Sequence, residues 1–140
     1  IATKSEPDLI IDFATLTGSA RSAVGTEICA MFATSDEVAV GLDSAGTDVA
    51  DAVWRMPLHQ SYNYMIDSKI ADVVNSAASP YAGSVTAALF LQRFVGESNW
   101  VHFDIMAYNT RSRAAHPEGG EAMGLRAVLS YLEDTYGTTT

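Results

Sequence analysis

The stretch richest in chemical groups is Asp12-Phe13-Ala14-Thr15-Leu16-Thr17-Gly18-Ser19-Ala20, where an apolar run ends in a small, hydroxyl-rich turn. Ligands of open α/β sheets bind outside the carboxyl ends of strands, where turn N–H and C=O groups are unpaired. Gly18 would let a ligand approach the main chain closely. Two readings of the turn stand open: a ligand loop, or a plain strand-to-helix connection with Thr17 as its cap. The remaining polar residues offer less. Asp12, Asp43, Asp48, Asp51, Asp67, Asp72 and Asp104 are scattered, without the His-Glu-x-x-His or Asp-x-Asp-x-Asp-Gly spacing of a compact metal site. His102 and Asp104 lie two apart on one strand face. They either address a common site or are a semi-buried histidine beside a capping aspartate. His59 and His116 are loop residues with no visible partner, and no serine sits in a Gly-x-Ser-x-Gly elbow.

Elements that would position these residues can be read from the apolar pattern. Leu9-Ile10-Ile11 shows no apolar/polar alternation, which predicts a strand buried on both faces of a mostly parallel sheet. Residues 26–34, with Ile28, Cys29, Ala30, Met31 and Phe32, predict a second strand of that kind. In a third, residues 100–106, Val101, Phe103 and Ile105 point one way, and Trp100, His102, Asp104 and Met106 the other. Ser35 and Asp36 open a helix whose apolar face is Val38, Leu42, Ala45 and Val49. Trp54-Arg55-Met56-Pro57 is expected to break the chain into a loop or hinge. A helix over residues 84–95, with Ala87, Phe90, Leu91 and Phe94 as one stripe, should be buried nearly all round. Gly119-Gly120-Glu121 leads towards a last helix through Leu125, Val128, Leu129 and Leu132, with Gly137 at a left-handed cap and Thr138 to Thr140 as a frayed tail. Strands separated by helices predict a layered α/β fold with flanking helices.

Composition narrows the function classes. Lys+Arg 8 against Asp+Glu 17 gives a net charge of -9, and no basic stripe is present to meet nucleic-acid phosphates. Arg111 and Arg113, the densest basic pair, read as an ordinary solvated loop. Charged residues are 18% of the chain, below the roughly 25% of typical soluble domains. That points to a large buried fraction or to a surface meant to be covered. One cysteine, Cys29, has no partner for a disulfide, which suits a reducing cytoplasmic compartment. No apolar run approaches the ~20 residues that span a bilayer, so no membrane partner is expected. Ile1 is no initiator, and the polar residues 4–8 lead straight into an apolar strand. Such an opening is expected of a piece of a longer chain.

The turn at residues 12–20, followed by Trp54-Arg55-Met56-Pro57-Leu58, Ala71-Asp72-Val73-Val74-Asn75, Ala82-Gly83-Ser84-Val85-Thr86-Ala87-Ala88 and Trp100-Val101-His102-Phe103-Asp104-Ile105, resembles the C-terminal part of the leucyl aminopeptidase family. Order and spacing both match over nearly the whole chain. The resemblance implies the α/β catalytic domain of that family, and cleavage of N-terminal residues from peptides at a site with two divalent metal ions, manganese or zinc. A metal-bound water would attack the scissile carbonyl, with the metals and an arginine stabilising the tetrahedral charge. It implies a cytoplasmic hexamer. The family's Asn-Thr-Asp-Ala-Glu-Gly-Arg segment, which carries metal ligands and the catalytic arginine, does not occur between Ile1 and Thr140. No metal is therefore expected on this chain alone, nor any catalytic residue, and the isolated chain is expected to be inactive. What it carries is a substrate-binding turn, Thr15, Leu16, Thr17 and Gly18. By resemblance, the Leu16 carbonyl would accept a bond from the substrate's amino end and the Gly18 N–H would hold its main chain. After Asp104-Ile105 the family commonly has Ala-Gly, and this chain has Met106-Ala107-Tyr108-Asn109. That departure argues against a simple preference for leucine.

Two rival readings belong to other classes. One is a non-catalytic binding or assembly module whose charge-poor surface serves partner chains. The other is a stand-alone hydrolase built on His102, Asp104 and a nearby hydroxyl.

Overall fold

The computed structural model describes residues 1–137. A four-stranded sheet forms the middle layer, in the order β1 (Ile10–Ala14), β4 (Trp100–Asp104), β2 (Cys29–Ala33), β3 (Val53–Arg55). β1 runs parallel to β4 and β3 parallel to β2, while the central β2/β4 pairing is antiparallel. The carboxyl ends of β1 and β4 therefore lie at one end of the sheet and those of β2 and β3 at the other. Every residue of β2 and β4 is buried, as central strands covered on both faces are.

Helices α2 (Asp36–Asp48) and α4 (Leu125–Tyr136) cover one face. Their Val38, Leu42, Ala127 and Val128 pack with Cys29, Met31, Val101 and Phe103. Helix α3 (Gly83–Gln92) covers the other, with Val85, Ala88 and Leu89 against Phe32 and Trp100. The short α1 (Gly18–Val24) lies beside α3. A Cβ on Gly83 would stand 2.5 Å from the Ser19 Oγ, so glycine is what lets the two helix starts approach. Gly124, at φ 77, opens α4 in the left-handed region that favours glycine. The buried carboxylate of Asp51 caps that helix, accepting from the N–H groups of Gly124, Arg126 and Ala127 at 3.0, 2.9 and 3.3 Å. Tyr108–Asn109 (β5) and Gly119–Gly120 (β6) form a small separate antiparallel pair.

The layered α/β fold and its mostly parallel sheet are as the sequence predicts, and the alternation assigns the two faces over Trp100 to Asp104, but the strand ends there and Met106 packs with Val101 and Phe103 rather than on the Trp100 side. Several local expectations fail. Trp54 and Arg55, expected at the start of a loop or hinge running to Pro57, instead belong to the edge strand β3, paired with β2, and the chain turns only after it. The α3 helix is shorter than residues 84–95, and its stripe is rotated. Val85, Ala88 and Leu89 are buried, Ala87, Phe90 and Leu91 half-buried, and Phe94 exposed beyond the helix end. Gly119 and Gly120 pair with Tyr108 and Asn109 instead of running on towards α4. Gly137 is extended at φ -63, ψ 130, not left-handed. The frayed tail expected at Thr138 to Thr140 lies outside the described residues.

Candidate functional site

Asp104 is the last residue of β4, and its register partner Ala14 is the last of β1. The chain leaving β1 therefore passes directly over the Asp104 carboxylate, which is 3% exposed. Oδ1 accepts from the N–H groups of Leu16 and Thr17, at 3.1 and 3.0 Å. Oδ2 accepts from the hydroxyl of Thr17 at 2.6 Å and from that of Ser84, on the first turn of α3, at 3.4 Å. The Thr17 hydroxyl in turn accepts from the Ala20 N–H at 3.1 Å, which makes Thr17 the cap of α1. Both readings of the turn thus meet in one residue: Thr17 caps the helix while bound to a buried carboxylate. Thr15, Leu16 and Gly18 are exposed and Thr17 half-buried.

Gly18 has no internal reason to be glycine. Its φ lies outside the left-handed range, and a Cβ there would meet only the Arg21 Nη2, at an ordinary 3.5 Å. Alanine at this first helical position would favour the helix. The space in front of Gly18 is therefore available to a group from outside this chain.

Beside the turn opens a cleft of about 330 Å³. Leu16, Thr17 and Ser19 form one wall, Asn75, Ser76 and Ala77 a second, and Gly83, Thr86, Ala87 and Phe90 a third. Three of the sequence segments singled out above, distant along the chain, meet here. Trp54-Arg55-Met56-Pro57-Leu58 does not join them; Arg55 to Leu58 line a separate groove at the carboxyl end of β2.

His102 and Asp104 share a strand face but serve different partners. His102 is fully buried, with Nδ1 2.6 Å from Asp12 Oδ1, and the Trp100 Nε1–H donates to Asp12 Oδ2 at 2.7 Å. Among the described residues the His102 Nε2 has no partner and no hydroxyl bonds to His102, so these residues lack the nucleophile–base contact a stand-alone hydrolase needs. Burial pushes the Cys29 thiol well above its ordinary range, and the charges of Asp51 and Asp104 push the same way. Cys29 is an inert core residue.

The loop histidines do have partners. The His116 Nδ1 lies 3.0 Å from Glu121 Oε1, and His59 packs edge-on against Tyr62. Arg111 and Arg113 are not merely solvated: both reach Glu27, at 2.9 and 3.3 Å. Asn109 is buried, its amide donating to the carbonyls of His116 and Pro117 at 2.8 Å each, and Met106 packs on the core. Sequence reasoning missed that Asp104 organises the turn. The available signal was an aspartate closing a largely apolar strand, which needs several donors to be stable when buried.

A layered α/β domain with a hydroxyl-capped turn beside a cleft at the carboxyl end of β1 defines the fold class and one candidate ligand site. The comparisons define it further. The profile of the cytosol aminopeptidase family, catalytic domain, matches residues 1–129. The probable cytosol aminopeptidase of Syntrophotalea carbinolica is 42% identical over 134 residues, covering 94% of this chain and 27% of that protein. That of Bradyrhizobium sp. is 41% identical, covering 97% and 28%. Among solved structures, the cytosol aminopeptidase from Coxiella burnetii superimposes with a TM-score of 0.91 at 50% identity, over 96% of this chain and 30% of that one. The bottromycin maturation enzyme BotP gives 0.88 at 34% identity, over 95% and 30%. The chain belongs to the cytosol aminopeptidase family. It spans under a third of the length of these relatives.

Proposed function

We propose that this chain works as the C-terminal part of a longer aminopeptidase polypeptide, in which it forms a substrate-binding wall. The Leu16 carbonyl receives the substrate's amino end, the Gly18 N–H holds the peptide main chain, and Thr15 and Thr17 frame the turn. The supporting observation is Gly18 itself, a glycine that neither backbone geometry nor internal packing requires, exposed beside a cleft. The larger assembly would be a cytoplasmic homo-hexamer acting on peptides. No helix among the described residues is long and apolar enough to cross a membrane.

Residues present here do not fit the two divalent ions, manganese or zinc, that the resemblance implies. Among the described residues no three His, Cys, Asp or Glu side chains come together as a set that could hold an ion. Metal binding and bond cleavage are assigned to residues outside this chain, so the isolated chain is proposed to be inactive. Asn109, whose amide is spent on closing its own loop, is not a free polar group for selecting side chains.

Gly18→Val in the full-length polypeptide tests the reading. The exposed turn would then carry a branched side chain at the position proposed to meet the peptide main chain. A misplacement of ~1 Å costs on the order of 10²-fold in kcat/KM. Melting temperature and bound metal should stay near wild type, because the new Cβ meets only a flexible arginine. A variant with normal kinetics would remove Thr15 to Gly18 from the site.

A further inference from the structure

We propose that Asp104 is a positioning residue that aims the Leu16 carbonyl at the substrate's amino group. The inference rests on the aminopeptidase reading above and goes beyond it, because Asp104 touches no substrate.

Peptide geometry carries the argument. In a trans peptide the N–H of one residue and the C=O of the residue before it point in opposite directions. No peptide bond among the described residues is cis. Asp104 Oδ1 binds the Leu16 and Thr17 N–H groups from below the turn. The Thr15 and Leu16 carbonyls must then face away from Asp104, towards the side on which Thr15, Leu16 and Gly18 are exposed. The two outward carbonyls follow from the two inward amides. Oδ2 completes the grip by accepting a hydrogen bond from the Thr17 hydroxyl at 2.6 Å, which leaves a hydroxyl lone pair for the Ala20 N–H. One buried carboxylate therefore fixes both the carbonyl direction and the start of α1. Its second tie, the Ser84 hydroxyl at 3.4 Å, couples it to the first turn of α3 and hence to the wall that carries Gly83 and Thr86.

An ionised carboxylate suits this role because it only accepts, with about four lone-pair sites on two oxygens, and four donors converge on it here. Asparagine has the same shape but turns two of those acceptors into donors. Its Nδ2 would oppose the Thr17 and Ser84 hydroxyl protons, and these hydroxyls would have to reverse.

The experiment uses the full-length polypeptide with Asp104→Asn, Thr17→Val and Thr17→Ser, an aminoacyl-p-nitroanilide as substrate, and backbone amide exchange as the second readout. In Asp104→Asn, exchange at the Leu16 and Thr17 amides should speed up by about tenfold or more, since charge-assisted bonds become neutral ones. Val101 and Phe103 in β4 should stay as slow as in the wild type. KM should rise on the order of 10-fold to 100-fold, with kcat changing much less, because a mis-aimed carbonyl weakens the hold on the amine. Thr17→Val should move KM in the same direction, and Thr17→Ser, which keeps the hydroxyl, should recover most of it. Unchanged exchange at Leu16 and Thr17 overturns the proposal. So does faster exchange with an unchanged KM. So does exchange that speeds up throughout β4, the mark of a residue that only holds the fold. A wild-type polypeptide that cleaves no such substrate sinks the aminopeptidase reading instead, and the exchange result then decides alone whether Asp104 sets the turn.

Discussion

In β1–α1 and in β2–α2 a strand runs out into a short turn whose last residue caps a helix through its hydroxyl. Thr17 accepts from the Ala20 N–H at 3.1 Å, and Ser35 from the Val38 N–H at 3.3 Å. Beyond the cap the two turns diverge. The second helix brings its own anions: Asp36 and Glu37 stand in its first turn, favourable to the helix dipole, and Asp36 pairs with Arg55 at 2.6 Å. Its turn is tied backbone to backbone, the Thr34 N–H donating to the Trp100 carbonyl. The first helix has no acidic residue in its first turn, and its turn hangs from a carboxylate borrowed from β4. A hydroxyl cap is thus a structural commonplace. A capped turn whose amides are anchored from beneath by a buried carboxylate keeps its upper side open, which is what the proposed substrate contact requires.

Removing each anchor should separate the two units sharply. Asp104→Ala leaves the Leu16 and Thr17 N–H groups and the Thr17 hydroxyl without their acceptor, and each buried polar group so orphaned costs about 1–3 kcal/mol. Partial access of water to the turn brings the expected loss to about 3 kcal/mol. Ser35→Ala removes one cap and should cost about 1 kcal/mol. Urea unfolding of both variants checks the difference. Equal losses would mean that Asp104 is no more than another cap, and the comparison would collapse.

The two strands also differ in cover. β2 is buried along its whole length. β1 lies at the sheet edge, with Phe13 39% and Leu16 44% exposed, and next to it α4 shows Leu125 at 55%, Leu129 at 55% and Tyr136 at 51%. Phe13 reaches the start of α4, since a Cβ on Gly124 would lie 3.2 Å from its ring, so Phe13 adjoins the beginning of that helix. Contiguous apolar surface of more than a few hundred Å² is uncommon on monomers. The isolated chain should therefore self-associate or bind a hydrophobic dye, and Leu125→Lys with Leu129→Lys should reduce both. A monodisperse monomer without dye binding would show that this face needs no cover.

How much of this could be read in advance depended on the length of the signal. β2 was legible because five consecutive buried residues leave an unbroken apolar run, and β4 because Val101 and Phe103 alternate with Trp100, His102 and Asp104. β3 was not. It is three residues long, and Trp54 and Arg55 are exposed, so nothing in its local pattern opposes the reading of a break before Pro57. The α3 stripe was misplaced because almost every residue from Val85 to Leu91 is apolar, and periodicity cannot choose a face when all faces look alike. The turn at Thr15 to Gly18 was visible as a composition. Its anchor was not, because Asp104 lies 87 residues from Thr17 and only the parallel register of β1 and β4 brings them together.

The smallest effect concerns Glu27, in the connection from α1 to β2. Its carboxylate accepts from the Arg111 guanidinium at 2.9 and 3.1 Å and from Arg113 at 3.3 Å. The Arg111 hydrogen bond holds the Glu27 carboxyl below its usual range; slight desolvation opposes it, and the charges of Arg111, Arg113 and His116 add to it. Because the folded pKa is the lower one, the unfolded chain takes up the proton first as pH falls. The contribution of this pair is present in full above the ordinary glutamate pKa of about 4.3 and disappears as pH drops through the depressed folded value. Exposed pairs of this kind are worth little and are screened by salt. The wild type should be slightly more stable than Glu27→Gln at pH 6, in low salt, and the two should converge as the solution is acidified below pH 4. A gap that persists unchanged into acid would mean that Glu27 acts through packing rather than charge. The connection between the two units would then owe nothing to this ion pair, and Asp104 would remain the one electrostatic anchor on which the first turn depends.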